Sequence, residues 1–257
     1  MIYDKRFFDY VDQGAIRSAT VLISHLYPVL SPTSVLDVGC GRGGWLRAWR
    51  EAGCAVVRGV DGNYMDRQRL YIAPEEFEAT DLADGFDLAR RFDLVQCLEV
   101  AEHIPAASAG ILIDSIIRHG DLVLFSAAQP GQGGTRHVNE QPLEYWRDIF
   151  GARGYHAHDC IRPLCHADVR IEPWYRYDTI LYASSAGQKR LPLSYRETAV
   201  PDHAAFKDFA SFQWHLRCAI FRRLPVRVVD QIAILNAMAR LLKHNILGIF
   251  RSRHEHS

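Results

Sequence analysis

Short apolar runs alternate with amphipathic stretches from the N-terminus to about residue 185. The apolar runs predict strands, which lie at 34–38, 55–60, 77–82, 92–100, 122–128 and 179–184. Between them, apolar residues recur every three or four positions and predict helices, at 8–30, 45–52, 105–119 and 141–153. Because strands and helices that alternate in this way form a sheet covered on both faces, the pattern predicts an α/β fold with a doubly wound, mostly parallel sheet.

The pattern changes after residue 185. Residues 186–202 are polar and contain proline, which is typical of a linker. Two further amphipathic stretches, 203–224 and 226–250, predict helices that are separated at Pro225. We therefore expect a main domain, a linker and a basic helical C-terminal extension, with bounds at 1–187, 188–202 and 203–257.

Charge is balanced over the whole chain but not along it. The sequence holds 30 basic and 30 acidic residues, so its formal net charge is zero, which argues against a general nucleic-acid-binding protein. Residues 214–257 nevertheless carry eight Lys or Arg against two acids, a charge of +6, which leaves −6 for the rest. Two interpretations of this tail stay open: a helical pair packed on the main domain with a solvated basic edge, or a surface that makes peripheral contact with anionic membrane lipids.

Nothing in the sequence predicts export or membrane insertion. Residues 1–14 mix charges with aromatic side chains and lack the apolar core of a signal peptide. The apolar stretches stop well short of the roughly 18 residues that a membrane-spanning helix needs. The six cysteines form no C-x-x-C pair, and in a chain of this size we expect reduced, mostly buried thiols. We therefore expect a cytoplasmic protein.

A glycine-rich bend follows the first predicted strand. Gly39, Gly41 and Gly44 fit the pattern G-x-G-x-x-G, which lets a ligand approach the backbone where a strand turns into a helix. That pattern alone suits a dinucleotide equally well. Asp37, two residues earlier, can hold the ammonium group of an amino acid, and Asp61, 22 residues after Gly39, can accept hydrogen bonds from two ribose hydroxyls. The combination favours a nucleoside that carries an amino-acid arm.

Four segments, in order, resemble the motifs of class I S-adenosylmethionine-dependent methyltransferases, and the resemblance covers roughly residues 20–185. They are VLDVGCGRG at 35–43, GVDG at 59–62, TDL at 80–82 and FDLVQCLEVAEHIP at 92–105. The resemblance implies an enzyme with a Rossmann-like fold and with S-adenosylmethionine as its cofactor. It also implies which residues bind that cofactor: Asp37, Gly39, Cys40 and Gly41 at the methionine end, Asp61 and Gly62 at the ribose, Asp81 and Leu82 at the adenine, and Leu98 beside the sulfonium.

Two polar clusters lie where the methyl acceptor is expected. Methyl transfer from a sulfonium needs a positioned acceptor and a base for its proton. Glu99-x-x-Glu102-His103 follows the fourth predicted strand, and His137-Val-Asn-Glu140 lies in the glycine-rich segment after the fifth. We expect His137 to be the catalytic base, with Glu140 orienting it and His103 as the second candidate.

The first cluster also resembles the E-x-x-E-H motif of small-RNA 2′-O-methyltransferases and ubiquinone-pathway O-methyltransferases, in which these side chains hold a divalent metal ion. In the RNA enzymes a second histidine from the segment after strand five completes the site. The implied metal ligands here are Glu99, Glu102, His103 and His137. Many class I enzymes have a similar turn and no metal, so a site with a metal ion and a site without one both stay open.

The acceptor is the least determined part of the prediction. Segments 125–146 and 174–184 resemble a group of bacterial methyltransferases of surface-polysaccharide and secondary-metabolite gene sets, which implies O-methylation of a sugar, glycan or small-molecule hydroxyl. A metal-assisted 2′-O- or catechol-type O-methyltransferase is the alternative within the family. No basic stripe borders the predicted site, so we do not expect a nucleic-acid substrate. Outside the family, an NAD-linked oxidoreductase and a non-catalytic cofactor-binding protein stay as alternatives.

Overall fold

The computed structural model of this protein describes residues 5–225, 227–229, 231, 232 and 235. Its strands are β1 Ser34–Val38, β2 Val56–Asp61, β3 Phe77–Ala79, β4 Leu94–Leu98, β5 Leu122–Ser126, β6 Tyr155–His158 and β7 Ile180–Ser184. Its α-helices are α1 Lys5–Leu30, α2 Gly44–Ala52, α3 Ala109–Arg118, α4 Leu143–Gly151, α5 Arg162–Cys165, α6 Pro173–Asp178, α7 Ser185–Arg190, α8 Leu193–Arg196 and α9 Phe212–Phe221.

All seven strands belong to one sheet, in the order β3-β2-β1-β4-β5-β7-β6. Strands β1 to β5 are parallel to one another, and β7 runs antiparallel to both β5 and β6. The order reverses next to β1, so the sheet is doubly wound and its carboxyl edge opens between β1 and β4. The predicted Rossmann-like α/β fold with a mostly parallel sheet is therefore confirmed.

Two apolar cores cover the two faces of the sheet. One face packs against α1 and α2, and its cluster includes Leu22, Leu26, Leu46 and the fully buried Trp49. The Nε1–H of Trp49 donates a 2.6 Å hydrogen bond to the side chain of Gln96 on β4, which ties α2 to the middle of the sheet. The other face packs against α3 and α4 and contains an aromatic group, made of Phe125, Trp146, Phe150 and Tyr182.

The structure differs from the sequence prediction at the end of the main domain. β6 is a strand that the pattern did not predict. Residues 188–202, which we expect to form a linker, contain α8 and pack on the sheet, because Leu191 and Tyr195 are buried. The backbone N–H of Val200 also donates to the carbonyl of Ala157 on β6. This segment extends the main domain, and the three-part division of the chain stays a prediction.

In the described part of the C-terminal extension, the helix is shorter than predicted. α9 begins at Phe212, so residues 203–211 are not helical. Of the second predicted helix, 226–250, residues 227–229 are helical and most of the rest lies outside the described residues. Within the part of the chain that the structure describes, no helix is both long enough and apolar enough to span a bilayer.

Candidate active site

The bend between β1 and α2 is set by backbone geometry that favours glycine. Gly39 has φ +78°, and a Cβ atom at this position would lie 2.3 Å from Cγ2 of Val100. The N–H groups of Gly39 and Cys40 both donate to the carbonyl of Val60, at 2.8 and 3.1 Å. These two N–H groups therefore stabilise the bend itself and bring it against the end of β2.

Asp61, the last residue of β2, is joined to this bend through its carboxylate. Oδ2 accepts a 2.7 Å hydrogen bond from the N–H of Gly41, and Oδ1 accepts from the N–H of Gly62 at 2.6 Å. Oδ1 also accepts a 2.6 Å hydrogen bond from the hydroxyl of Tyr64. The structure thus brings together three of the candidate cofactor residues, Asp61, Gly41 and Gly62, and adds Tyr64, which the sequence analysis missed.

Asp37 lies on β1, next to Gln96 of β4 in the sheet register, and its carboxyl is buried. Burial raises the pKa of this carboxyl to about 7; a hydrogen bond from Gln96 opposes the rise, and the charge of Asp61 adds to it. A cationic group placed beside Asp37 would favour its ionised form. The position therefore suits the binding of an ammonium group.

The other predicted cofactor residues lie along the same edge but differ in exposure. Asp81 follows β3, is exposed, and accepts a 3.0 Å hydrogen bond from the N–H of Ala83. Leu82 and Leu98 are buried. The side chain of Cys40 is also buried and packs in the core beside β2, so it is the backbone of Cys40 that borders the bend.

A second group of polar side chains is assembled by the segment after β5, residues 127–142, which we call the post-β5 loop. The backbone N–H groups of Val138 and Asn139 both donate to the carbonyl of Glu102, at 2.9 and 3.0 Å. This contact fastens the loop to the short turn Ala101–His103 after β4. As a result, the rings of His103 and His137 lie with their centroids 4.9 Å apart.

His137 is held by a carboxylate that is itself held by the loop. Nδ1 of His137 lies 2.9 Å from Oε1 of Glu140. The two oxygens of Glu140 also accept from the N–H groups of Gly131, at 2.7 Å, and Gly133, at 2.9 Å. Although partial burial acts in the opposite direction, the hydrogen bonds from His137, Gly131 and Gly133 lower the pKa of Glu140, so its carboxylate stays ionised.

Glu99 and Glu102 are desolvated acids next to this pair. Burial raises the pKa of both, and the charge of Glu99 raises that of Glu102 further. Glu99 has φ +57°, a conformation that residues other than glycine seldom adopt and that is often found at functional sites. One of its oxygens, Oε2, accepts a 2.5 Å hydrogen bond from the side chain of Gln132.

Asp178, at the end of α6, is a further buried acid that the sequence analysis missed. Burial and the nearby charge of Glu99 raise its pKa. Its Oδ1 accepts a 2.5 Å hydrogen bond from the side chain of Gln129 in the post-β5 loop. The sequence contains no direct signal for this residue, because an acid between an aromatic segment and a strand is ordinarily at the surface.

Helix α9 covers the post-β5 loop from the outside. Arg217 donates a hydrogen bond to the carbonyl of Gln132, and Arg222 donates a 2.7 Å hydrogen bond to the carbonyl of Pro130. A Cβ atom on Gly131 would lie 2.5 Å from the backbone oxygen of Cys218, so the loop and the helix are in close contact. The C-terminal extension therefore supports the loop that carries His137.

The structure brings together three of the four predicted metal ligands. Glu102, His103 and His137 each offer a ligand atom, and these atoms lie within 4.8 Å of one another. Glu99 is not part of this group. Two imidazoles and a carboxylate are a donor set that suits zinc or another borderline divalent ion.

Taken together, one edge of the sheet carries a bend with acids that can bind an aminoacylated nucleoside and, a strand away, a histidine–glutamate pair. A family model described as a methyltransferase domain matches residues 16–158, more than half of the chain. The chain belongs to the class I S-adenosylmethionine-dependent methyltransferases. The methyltransferase uses S-adenosylmethionine as its methyl donor, and the oxidoreductase and non-catalytic alternatives are set aside.

Curated relatives of this methyltransferase include ubiquinone biosynthesis O-methyltransferases. That of Alkalilimnicola ehrlichii is 30% identical over 187 residues, which cover 65% of this chain and 68% of the relative. That of Neisseria meningitidis serogroup C is 28% identical over 127 residues and covers 46% and 49% of the two chains. The methyltransferase therefore spans about two thirds of the first relative and about half of the second.

Two solved structures illustrate the structural likeness. A sugar N-methyltransferase from Streptoalloteichus is 19% identical, with 65% of this chain and 85% of that chain covered and a TM-score of 0.48. The magnesium protoporphyrin IX methyltransferase of Synechocystis with bound S-adenosylmethionine is 20% identical, with 71% and 86% covered and a TM-score of 0.47.

Proposed function

We propose that this methyltransferase transfers the methyl group to a hydroxyl of a small molecule or sugar, with His137 as the base. The observation that carries the proposal is the hydrogen bond between His137 Nδ1 and Glu140 Oε1, 2.9 Å long, in a loop at the edge of the sheet where the donor is expected. The relatives named as ubiquinone biosynthesis O-methyltransferases support oxygen as the methylated atom.

The protonation state of the pair follows from its hydrogen bonds. An ionised carboxylate is only an acceptor, so Nδ1 of His137 carries the proton and Nε2 is left as the basic nitrogen. S-adenosylmethionine supplies an electrophilic methyl group. The donor would leave as the neutral thioether S-adenosylhomocysteine once the acceptor oxygen has taken its methyl group. Nε2 of His137 would take the proton of the acceptor hydroxyl. The ionised Glu140 stabilises the imidazolium that results.

The same proposal assigns the donor side of the site. Asp37 binds the ammonium group of the methionine arm, and the bend at Gly39, Cys40 and Gly41 leaves room for that arm beside it. Asp61, next to Gly62, accepts hydrogen bonds from the ribose hydroxyls. Leu82 and Asp81 would contact the adenine, and Leu98 would lie beside the sulfonium.

Binding and transfer can be tested separately. Calorimetry should detect binding of S-adenosylmethionine and of S-adenosylhomocysteine to both the wild type and His137→Gln, because His137 is on the acceptor side. Transfer of a labelled methyl group would then be measured with D-glucose, L-rhamnose, D-glucosamine and 3,4-dihydroxybenzoate as probe acceptors, and the methylated atom identified by NMR. We expect O-methylation by the wild type and by the control His156→Gln, which changes an exposed histidine, and at least about 10²-fold slower transfer by His137→Gln. Methylation on nitrogen, or no transfer to any probe, would contradict the proposal.

A metal-assisted form of the same reaction is favoured by one observation. Glu102 has a buried oxygen, Oε2, with no hydrogen-bond partner among the described residues, and the ligand atoms of Glu102, His103 and His137 lie within 4.8 Å of one another. These three residues would hold the ion, which would lower the pKa of the acceptor hydroxyl. His137 would then be a ligand, and the base would be another group.

Metal binding is tested by its effect on the folded protein as well as on activity. We expect Zn²⁺ or Mn²⁺ to raise the melting temperature of chelator-treated wild-type protein and not that of His103→Asn. Unchanged melting curves, together with full activity after chelation, would reject the metal and leave the histidine–glutamate mechanism in place.

We also propose that α9 makes peripheral contact with anionic lipid. Phe212, Leu216 and Ile220 lie four residues apart on the helix, and their exposed fractions are 80%, 51% and 49%. The exposed Arg223 and Arg227 follow close behind. An apolar stripe beside arginines is complementary to a negatively charged membrane surface.

Sedimentation with vesicles tests this contact. The wild type should sediment with phosphatidylglycerol–phosphatidylcholine vesicles and not with phosphatidylcholine alone, and Phe212→Ser combined with Leu216→Ser should reduce recovery. Equal recovery of the variant and the wild type would assign the apolar stripe to another role.

A further inference from the structure

Two acids, Glu99 and Asp178, converge on the same edge of the sheet from strands on either side of β5. Glu99 comes directly after β4, which is parallel to β5, and Leu98 pairs with Ser126. Asp178 precedes β7, which is antiparallel to β5, and Ile180 pairs with Phe125. Because neighbouring strands lie about 4.8 Å apart, the backbones that carry the two acids are about 10 Å apart, and their side chains approach across the end of β5.

Each acid is held on one side by a glutamine of the post-β5 loop. Gln132 donates to Oε2 of Glu99 and Gln129 donates to Oδ1 of Asp178, both at 2.5 Å. The two glutamine amides fix the carboxyl groups in place and use one oxygen of each. The other oxygens, Oε1 of Glu99 and Oδ2 of Asp178, are buried and have no hydrogen-bond partner among the described residues.

A third unpartnered acceptor lies at the same place. The side chain of Gln132 is on a residue only 4% exposed, and while its nitrogen donates to Glu99, its carbonyl oxygen Oε1 has no partner in the described part of the protein. Asp178 is 1% exposed. Neither Glu99 nor Asp178 takes part in any of the ion pairs that the described residues form. Buried acceptors of this kind require donors. Burial favours the neutral form of both acids, and a cation placed between them would favour the ionised form and supply the donors.

The chemistry of the missing partner is narrow. The missing partner has to supply several hydrogen-bond donors and a positive charge. Two ionised carboxylates at this place would repel an anionic group. An alkylammonium group has three N–H donors, no acceptor and one positive charge. A sugar hydroxyl brings one donor and no charge. The group of side chains suited to a metal ion contains neither Glu99 nor Asp178.

We infer that Glu99 and Asp178 bind a protonated amino group of the methyl acceptor, which is therefore an amino sugar or another small amino alcohol. This inference rests on the proposed function, since it names the acceptor of the same site. The amino group is an anchor: it stays protonated between the two carboxylates, and the methyl group goes to a hydroxyl within reach of His137. Gln129 and Gln132 position the carboxylates through their amides.

The experiment uses the full chain saturated with S-adenosylhomocysteine in the presence of a chelator. D-Glucosamine, D-galactosamine and 2-aminoethanol are the amine probes, and N-acetyl-D-glucosamine and D-glucose are their uncharged counterparts. At least one amine should raise the melting temperature and give a binding isotherm, whereas the uncharged probes should not. Asp178→Asn should weaken amine binding at least about tenfold, because it removes one partner of a buried charge pair.

Two controls separate loss of the site from loss of the fold. Asp114→Asn changes a half-exposed carboxylate on α3 and should bind the amine like the wild type. Asp178→Asn should still be stabilised by S-adenosylhomocysteine. If no amine binds while S-adenosylhomocysteine does, the inference is overturned and the proposed function stands; if S-adenosylhomocysteine does not bind either, both fall. A stabilisation by Zn²⁺ or Mg²⁺ that disappears in Asp178→Asn would also overturn it, because the unpartnered oxygens would then belong to a metal site.

Discussion

The hydroxyl of Tyr64 donates a 2.6 Å hydrogen bond to the same carboxylate, Asp61, that the proposed function assigns to the ribose. A carboxylate offers about four acceptor positions. Tyr64 and the N–H groups of Gly41 and Gly62 already use three, and two ribose hydroxyls need two. Tyr64 therefore occupies a place that the nucleoside needs, and its exposed ring is free to move away from it.

Removing this hydroxyl should strengthen donor binding. In Tyr64→Phe, the carboxylate of Asp61 keeps its hydrogen bonds to the backbone. It no longer has to lose a hydrogen bond from the phenol before it can accept one from the ribose. Because one hydrogen bond contributes about 1 kcal/mol net, we expect S-adenosylhomocysteine to bind a few-fold to about tenfold more tightly, as measured by calorimetry. Tyr27→Phe, on α1, serves as the control. Weaker binding by Tyr64→Phe would mean that the phenol contacts the nucleoside.

The buried carboxyl of Asp37 should make the ligand-free protein less stable as the pH rises. Its pKa is 3.8 as a free side chain and about 7 in the folded protein. Because the folded value is the higher one, the stabilising effect of the proton is present below about pH 4 and is lost as the pH rises through about 7. The Asp37→Asn variant lacks this loss. Between about pH 5 and pH 8, we therefore expect its free energy of unfolding to rise by about 3 kcal/mol relative to that of the wild type.

Urea unfolding at the two pH values measures that difference. Glu75→Gln, which changes an exposed carboxylate, should follow the wild type. Parallel pH profiles for the wild type and Asp37→Asn would show that Asp37 is already ionised in the ligand-free protein.

The same carboxyl should make donor binding depend on pH. An ammonium group binds the ionised form, so below about pH 7 the affinity for S-adenosylhomocysteine should fall by up to about tenfold for each pH unit, and binding should release a proton. Calorimetry in two buffers of different ionisation enthalpy counts that proton. In Asp37→Asn we expect weaker binding with no proton release. If proton release is the same in both proteins, it comes from another group.

The pair formed by His137 and Glu140 should act on turnover and leave donor binding unchanged. With an acceptor in hand, His137→Ala should lower kcat by about 10²- to 10⁴-fold, the usual contribution of a general base. Glu140→Gln should have a smaller effect, because it keeps the imidazole and removes only the charge that stabilises its protonated form. In both variants the KM for S-adenosylmethionine should be unchanged. A rise in that KM with an unchanged kcat would place the pair on the donor side.

Contact between the post-β5 loop and α9 should be sensitive to a single methyl group. Gly131 has φ +84°, and a Cβ atom there would meet the backbone oxygen of Cys218 at 2.5 Å. Gly131→Ala should therefore destabilise the protein by about 1 to 3 kcal/mol and lower kcat, since the loop also carries His137. Gly151→Ala, at the end of α4 with no atom within 4 Å of the added Cβ, should be neutral or slightly stabilising. Melting temperatures of the two variants decide the point, and equal values would contradict the close contact.

The sequence predicts those parts of the structure in which the pattern of apolar residues along the chain matches the residues that are buried. β1, β4 and β5 are apolar runs that are buried on both faces, and each was expected within a few residues of its observed bounds. The bend at Gly39 was predictable because a positive φ and a close neighbour require glycine there. Asp61 was predictable because it ends the strand beside that bend.

Other parts depend on tertiary contacts that no local pattern carries. β6 is four residues long and includes the exposed His156, so its sequence YHAH has no strand signal apart from its pairing with β7. Residues 188–202 contain proline and charges, and no local pattern indicates that Leu191 and Tyr195 are buried against the domain. Asp178 becomes part of the site because β7 runs antiparallel and begins at the edge where β4 and β5 end.

The match to the family model ends at residue 158, so Asp178 and α9 lie outside it. The residues that the proposed function assigns to the donor all lie between positions 37 and 98. The residues proposed to hold the acceptor also include Asp178 and the post-β5 loop, which α9 contacts. Under these proposals, a substitution at Asp178 would change acceptor binding and leave the residues assigned to the donor in place. Substitutions in α9 would also act on turnover, because that helix contacts the loop that carries His137.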